Sequence, residues 1–313
     1  MNEREAIARL KEIFTPSDRL ASELRVSIGD DAAIFSPHNS LIATSTDIVT
    51  DGVHFNREWS DAKSIGRKVT IANLADIFAM GMRPNFLLVS ATIEKSDVDS
   101  LFEIAQGIQR EAKRVDAQVI GGDISLGDCL TVSITAIGEG ERSILRSGAN
   151  PGDDLYLANL PGRSLLGLTQ LMQGKRLDEA SIGFHLVPEF DWSTYDRVRG
   201  VATALIDISD GIAKDARQIA EASGVCIEIE SELLMRHHDF PSHESIASRL
   251  GLDPLKTILE SGEEHTPLFT ASPGYRSQVE TFAHRVGRVG RSVQGEVHLD
   301  GAPLGLEGFD HFN

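Results

Sequence analysis

A scattered set of aspartates carries the chemistry this sequence offers. Asp30 and Asp31 follow Val26-Ser27-Ile28-Gly29, Asp47 follows Leu41-Ile42-Ala43-Thr44-Ser45-Thr46, and Asp123 follows Gly121-Gly122. Asp207 and Asp210 lie in Ile206-Asp207-Ile208-Ser209-Asp210-Gly211, and Asp76 sits within Ala72-Asn73-Leu74-Ala75-Asp76-Ile77-Phe78. Carboxylates at the ends of apolar strands or inside an apolar helix must be matched by hydrogen bonds or cations. An all-oxygen donor set, with no Cys and no paired His, suits a hard cation such as Mg²⁺ or Mn²⁺. Gly29, Gly121, Gly122 and Gly211 let backbone and phosphate come close. Taken singly, each aspartate reads equally well as a turn residue or helix cap, and Asp210 before Gly211 is the plainest case. Asp76, on the apolar side of a helix, has no such local task.

Neither the Walker A loop nor the protein-kinase loops occur, so neutralising a bound nucleotide falls to metal ions. Arg146, in Leu145-Arg146-Ser147-Gly148, is a candidate phosphate contact and equally a solvated loop arginine. His237 and His238, in the polar stretch Met235 to Ser245, read as a surface loop. Cys129 and Cys226 stand in apolar, β-branched stretches and read as two buried thiols in a reducing compartment.

Alternating elements must position these groups. An amphipathic helix is expected over Glu3 to Phe14, and a strand from Leu41 ending at Asp47. A helix is expected over Asp61 to Met80, stopped by Gly81 and Pro84, and a buried strand over Phe86 to Ile93. Ser96-Asp97-Val98-Asp99 opens a further helix with a capping-box pattern. A short strand, Gln118-Val119-Ile120, runs into Gly121-Gly122-Asp123, and Leu130 to Ile137 alternates as a strand does. Gly138 to Asp154 is rich in Gly, Ser, Asn and Pro, which places a domain boundary there: residues 1–142 and 143–313. The second half opens with the strand Leu155 to Ala158 and a helix around Ser164 to Met172. A polar, aromatic stretch follows, His185 to Tyr195. The strand Ala204 to Ile206 comes next, then a helix from Ile212 to Ser223 closed by Gly224, and the strand Val225 to Ile229. The alternation predicts an α/β or α+β protein.

The 313 residues exceed what one core usually serves. The 47 acidic against 30 basic side chains give a formal charge of −17, which disfavours nucleic acid and anionic membranes as partners. The charged start, Met1 to Phe14, lacks the apolar core of a signal peptide, so a cytoplasmic location is expected.

Read together, the motifs resemble the thiamine-monophosphate kinase family, within the aminoimidazole-ribonucleotide-synthetase-like superfamily. The matching segments are Ile28-Gly29-Asp30-Asp31-Ala32-Ala33, Ser45-Thr46-Asp47, Asp51-Gly52-Val53-His54-Phe55, Asn73-Leu74-Ala75-Asp76 and Ile120-Gly121-Gly122-Asp123. They continue through Arg146-Ser147-Gly148-Ala149, Ile206-Asp207-Ile208-Ser209-Asp210-Gly211, Ser261-Gly262-Glu263 and Gly308-Phe309-Asp310-His311-Phe312. The resemblance implies an N-terminal domain that binds ATP and metal and lends strands to a barrel at a homodimer interface. A C-terminal α/β domain would complete the substrate site. The implied reaction is ATP-dependent phosphorylation of thiamine monophosphate, assisted by several Mg²⁺ ions. Implied metal ligands are Asp30, Ser45, Thr46, Asp47, Asp76, Asp123, Asp207 and Asp210, of which Asp47, Asp123 and Asp210 serve catalysis. Gly122, Asp123, Arg146 and Ser209 would contact ATP; His54, Glu263 and Phe309 would contact the thiamine substrate. The family pattern Gly-Gly-Glu-Asp-Tyr is replaced by Ser261-Gly262-Glu263-Glu264-His265, and both arginines of His-Leu-Arg-Pro-x-Pro-Arg are absent from His185-Leu186-Val187-Pro188-Glu189-Phe190. The alternatives are a superfamily relative acting on another phosphate or carboxylate, and a nucleotide- or thiamine-binding homologue without turnover.

Overall fold

The computed structural model describes residues 9–10, 12–14, 24–26, 34–37, 41–189, 191–291 and 295–305. The expected first helix falls largely outside these residues. The chain divides into two compact units, Met1–Phe78 with Met82–Ser143, and Ala79–Gly81 with Ile144–Asn313.

The first unit pairs two short strands, β1 (Leu24–Val26) and β2 (Ile34–Phe35), and builds a second sheet from four. These are β3 (Leu41–Thr50), β4 (Arg83–Ile93), β5 (Gln118–Leu126) and β6 (Thr131–Gly140), in the order β3-β6-β4-β5. Antiparallel pairing holds β3 to β6 and β6 to β4, while β4 and β5 are parallel. A parallel pair needs a crossover, which α2 (Ser100–Arg114) supplies after α1 (Ala62–Ala79). The two helices touch backbone to backbone through glycine. A Cβ on Gly66 would lie 2.1 Å from the Ile104 carbonyl oxygen, and one on Gly107 2.1 Å from that of Lys63. Alternate residues divide β3 between two environments. Ala43, Ser45, Asp47 and Val49 share the half-buried face, whereas Ile42, Thr44, Thr46 and Ile48 are exposed. Ile42 and Ile48 leave 51% and 57% of their surface in solvent.

Several boundaries differ from the sequence reading. Strand β3 does not end at Asp47; the β-branched Ile48, Val49 and Thr50 carry it on against Ser133, Val132 and Thr131. Strand β5 does not stop before Gly121 but runs through Gly121-Gly122-Asp123. Gly122 permits this with φ +157°; a Cβ there would stand 1.7 Å from the Val89 carbonyl oxygen. Helix α2 starts at Ser100 because Lys95–Asp97 close a 3₁₀ turn first. Cys129 lies in the turn between β5 and β6 and is exposed, so only Cys226 is a buried thiol.

The second unit has a seven-stranded sheet with the order β13-β12-β9-β11-β7-β10-β8. In chain order its elements are β7 (Asp154–Leu157), α3 (Arg163–Met172), α4 (Glu179–Leu186), α5 (Ser193–Arg199), β8 (Ala202–Asp207) and α6 (Ile212–Ser223). Then come β9 (Cys226–Ile229), α7 (Ser231–Met235), α8 (Phe240–Leu250), α9 (Pro254–Glu260), β10 (Pro267–Ala271), α10 (Arg276–Val279), β11 (His284–Gly290), β12 (Val297–Leu299) and β13 (Ala302–Pro303). Leu155, Leu157, Ile206, Ile227, Leu268 and Val286 of the sheet pack with Ile212, Ala216 and Ile219 of α6 in one core. Gly224 closes α6 in the left-handed conformation at φ 64°, as its position in the sequence predicts. The polar, aromatic stretch His185 to Tyr195 contains the end of α4 and the start of α5. Among the described residues no helix is long and apolar enough to cross a membrane.

His237 also differs from expectation. It is buried between α7 and α8 rather than on a surface loop, while His238 is exposed. Its Nδ1 accepts the backbone N–H of Asp239 at 3.2 Å. The ring stacks on His238 at 4.3 Å and meets the edge of His284 at 5.1 Å. Burial, with the neighbouring histidines adding, pushes its pKa down to about 4. A depressed histidine is neutral in the folded state while the unfolded chain takes up a proton, so stability is lost as pH falls from 6.5 to about 4. The thermal midpoint of His237→Asn, whose side-chain oxygen replaces the Nδ1 acceptor, is expected to fall less over that window than wild type. Parallel curves for the two proteins would show that His237 contributes nothing to acid sensitivity.

Candidate active site

In the first unit the structure gathers part of the expected set around the contact between β3 and α1. The Ser45 hydroxyl donates to Asp76 Oδ2 at 2.6 Å. One helical turn earlier, Asn73 is fully buried; its Oδ1 accepts the Asp47 backbone N–H at 3.2 Å and its Nδ2 donates to the Val69 carbonyl at 2.9 Å. Asn73 therefore fixes the register between helix and strand, and Asp76 follows at the spacing that returns to the same helix face. Ser45 and Asp47, two residues apart on β3, share that face. Thr46 points to the other side, where its hydroxyl meets the Ile134 carbonyl at 3.1 Å and Thr135 Oγ1 at 3.0 Å. The Thr46 side chain thus does not join Ser45, Asp47 and Asp76.

Asp123 is exposed on β5 opposite Ser90, while Asp47 lies opposite Ile134 on β6. Three strand spacings separate β3 from β5, about 14 Å along the sheet. His54 occupies the turn after β3, half-buried; its Nδ1 accepts the Thr50 N–H at 3.1 Å, and its carbonyl accepts from Lys68 Nζ at 3.3 Å. Asp30 and Phe309 lie outside the described residues.

The second unit organises the others around a side chain the sequence reading missed. Asp215, on the first turn of α6, is fully buried, and its Oδ2 accepts the backbone N–H groups of Ser209, Asp210 and Gly211 at 3.1, 3.1 and 3.2 Å. These donors shape the Asp207–Gly211 turn around one carboxyl group. Gln218 Nε2 donates to Asp215 Oδ1 at 3.1 Å, and Arg146 Nη1 donates to Gln218 Oε1 at 2.5 Å. An exposed arginine is so linked to the turn through two side chains. Burial, with the Asp207 carboxylate adding, pushes the Asp215 pKa up to about 8, against the opposing backbone donors. Ser209 is exposed, Asp210 half-buried and Asp207 buried.

The segment Ser261 to His265 packs on that same turn. The N–H of Glu263 donates to the Ser209 carbonyl at 2.8 Å, and those of Glu264 and His265 donate to the Ile208 carbonyl at 3.1 and 2.8 Å. Glu263 and His265 take φ of 55° and 50°, a conformation costly for non-glycine residues and common around functional sites. His265 Nδ1 lies 3.2 Å from Asp207 Oδ2. Glu264, where the family pattern has Asp, is buried and caps α3: its Oε1 accepts from Gly162 N, Ser164 N and Ser261 Oγ at 2.8, 3.0 and 2.6 Å. Burial raises its pKa, and these donors hold it back. Glu263 Oε2 stands 3.7 Å from Nδ1 of the buried His185, which also meets Ser164 Oγ at 3.1 Å.

An aspartate in the first turn of a helix that follows Ser-Asp-Gly is a readable signal, and Asp215 was legible on that ground. Asn73 was visible only as part of its motif. The links from Arg146 to Asp215 and from His265 to Asp207 join residues far apart in the chain and leave no local signal.

Comparison with known proteins gives this geometry a family. Residues 29–139 match the model for AIR synthase related protein, N-terminal domain. The Aquifex aeolicus thiamine-monophosphate kinase is 32% identical over 97% of this chain and 100% of its own length. That of Mycobacterium tuberculosis is 35% identical over 76% of this chain and 72% of its own. Among solved structures, AaThiL complexed with AMPPCP and TMP superposes with a TM-score of 0.79 at 29% identity, covering 87% of each chain. Thiamine-monophosphate kinase from Stenotrophomonas maltophilia reaches 0.83 at 26% identity, over 97% of this chain and 98% of that one. The hydrogenase maturation protein HypE shares the fold at 18% identity and a TM-score of 0.72. The chain belongs to the thiamine-monophosphate kinase family.

Proposed function

We propose that this chain transfers the γ-phosphoryl group of ATP to the phosphate of thiamine monophosphate, giving ADP and thiamine diphosphate, with Mg²⁺ held by its aspartates. The observation that carries this reading is the oxygen-donor cluster of Ser45, Asp47 and Asp76 in a chain of this family. The AaThiL complex with AMPPCP and TMP supports the two substrates.

The donor chemistry fits Mg²⁺: hydroxyl and carboxylate oxygens, with no thiolate or imidazole among them. Bound Mg²⁺ supplies charge that screens the approach of two polyanions and stabilises the transferring group. In this reading Asp47 and Asp76 hold one ion with Ser45 beside them. Asp123 holds another, because an ion reaches ligands only about 2.1 Å away and β3 and β5 stand far apart. Asp207 and Asp210 are the ligands of the second unit; Asp30 and Thr46 complete the proposed set, Thr46 through its backbone. Gly122, whose missing side chain lets β5 lie against Val89 of β4, contacts the nucleotide through its backbone, and Arg146 and Ser209 contact its phosphates. His54, Glu263 and Phe309 contact the thiamine substrate. The acceptor is a phosphate oxygen, already ionised at neutral pH, so alignment and charge stabilisation carry catalysis without a strong base.

Residues 1–142 are assigned to ATP, metal and dimer formation, and 143–313 to completion of the substrate site. Exposed Ile42 and Ile48 on one face of β3 support a homodimer formed through that sheet. Two free cysteines and ATP as phosphoryl donor support a cytoplasmic location.

Incubation with ATP, Mg²⁺ and thiamine monophosphate is expected to yield ADP and thiamine diphosphate in equal amounts. ADP formed only with another acceptor would contradict the substrate assignment. Asp47→Asn and Asp123→Asn are each expected to lower kcat by about 100-fold or more with the thermal midpoint retained. Wild-type rates in either would remove those carboxylates from the mechanism.

Asp215 is a positioning residue. Asp215→Ala is expected to lower kcat and raise the KM for ATP together, because the Ser209–Gly211 amides lose their shared acceptor. Asp215→Asn, which keeps an oxygen in place, is expected to recover most of the loss. Equal damage by Ala and Asn would show that charge rather than hydrogen-bond acceptance is what Asp215 supplies.

A further inference from the structure

We propose a further metal site, built from none of the acidic motifs, in which Cys226, Glu228 and His298 bind a zinc ion and Glu296 orients the imidazole. The parallel pairing of β9 with β12 sets His298 opposite Glu228. Cys226 and Glu228 are two residues apart on β9, as Glu296 and His298 are at β12, so each pair lies on one side of its strand. The thiol, the Glu228 carboxylate and a ring nitrogen of His298 offer ligand atoms all within 4.8 Å of one another. Cys226 is buried, and the Glu228 and His298 side chains are 18% and 13% exposed.

The orientation of His298 is what separates this cluster from a chance meeting. Its Nε2 is engaged by Glu296 Oε2 at 2.8 Å, which leaves Nδ1 facing Glu228 Oε2 at 3.7 Å. Two ligand atoms bound tetrahedrally at about 2.0–2.3 Å stand roughly 3.3–3.7 Å apart. A carboxylate on the far ring nitrogen is the usual companion of a metal-bound histidine, where it fixes the tautomer and the ring plane. The backbone is tied as well: Glu228 Oε1 accepts the Gly301 N–H at 2.5 Å, so its other oxygen remains for an ion. Register sets Arg288 of β11 opposite Glu228 and Pro303 of β13 opposite His298. A Cys, His and carboxylate set selects zinc over Mg²⁺, which avoids thiolate. Binding takes the thiol proton into solvent and leaves a thiolate on the metal.

The test uses the full chain carrying Cys129→Ser, which removes the exposed thiol, stripped of metal and titrated with Co²⁺. The expected result is a near-ultraviolet thiolate-to-cobalt charge-transfer band with tetrahedral visible bands, saturating at one ion per chain and bleached by Zn²⁺. Carboxylate sites elsewhere give no thiolate band, so the readout isolates this cluster. Adding Cys226→Ser is expected to abolish the near-ultraviolet band. Glu228→Gln, which leaves the buried thiol intact and so guards against a misfolded Cys226 variant, and Glu296→Gln are each expected to weaken cobalt binding by about tenfold or more. No charge-transfer band, or a band unchanged by Glu228→Gln and Glu296→Gln, would overturn the proposal and leave His298 as a histidine hydrogen-bonded to Glu296 with Glu228 nearby.

Discussion

The contact between Asp76 and Ser45 is the interaction on which the chemistry proposed for the first unit rests. A carboxylate on the packed side of a helix needs a donor or a cation. Here a strand hydroxyl supplies the donor at 2.6 Å, and Asn73 locks the same helix to the next backbone amide of that face. The acid is thus held in place by the protein itself, with the Asp47 carboxylate two residues from Ser45 on the same face of the strand. Pre-positioned ligands lower the ordering cost of binding, and the helix that carries Asn73 and Asp76 packs closely on α2 at Gly66–Ile104 and Gly107–Lys63.

The second unit solves a similar problem with the opposite polarity. The Asp207–Gly211 turn presents carboxylates, and its amides converge inward on the buried Asp215. A buried carboxyl group organises the backbone of an acidic turn by accepting its amides, and Gln218 passes that organisation to Arg146. Segment Ser261 to His265 closes over the turn at a cost in backbone strain, visible as positive φ at Glu263 and His265. The change from the family's Asp to Glu264 leaves a clear structural task, since that carboxylate caps α3 through three donors.

The sequence made most elements legible, because strand alternation and helix spacing follow from which side chains must be buried. It misjudged β3 and β5 where the chemistry lies: Asp47 and Gly121-Gly122-Asp123 look like strand ends, yet both strands continue through them. Pairing with a neighbour decides strand length, and a local pattern cannot show the neighbour. The same limit hid the burial of His237, which depends on His284 packing from a distant strand. The candidate acids were legible as types and spacings. Their grouping was not: Thr46 sits beside Ser45 and Asp47 in the chain and faces the other side of the sheet.

The central proposal is that Asp47 with Asp76, and Asp123 separately, would hold the metal ions that accompany a bound nucleotide. Anomalous diffraction from crystals grown with Mn²⁺ and a non-hydrolysable ATP analogue tests it most directly. The account predicts one manganese peak ligated by Asp47 and Asp76, a distinct peak at Asp123, and phosphate oxygens completing both shells. Nucleotide phosphates bound with no manganese on these three carboxylates would contradict it.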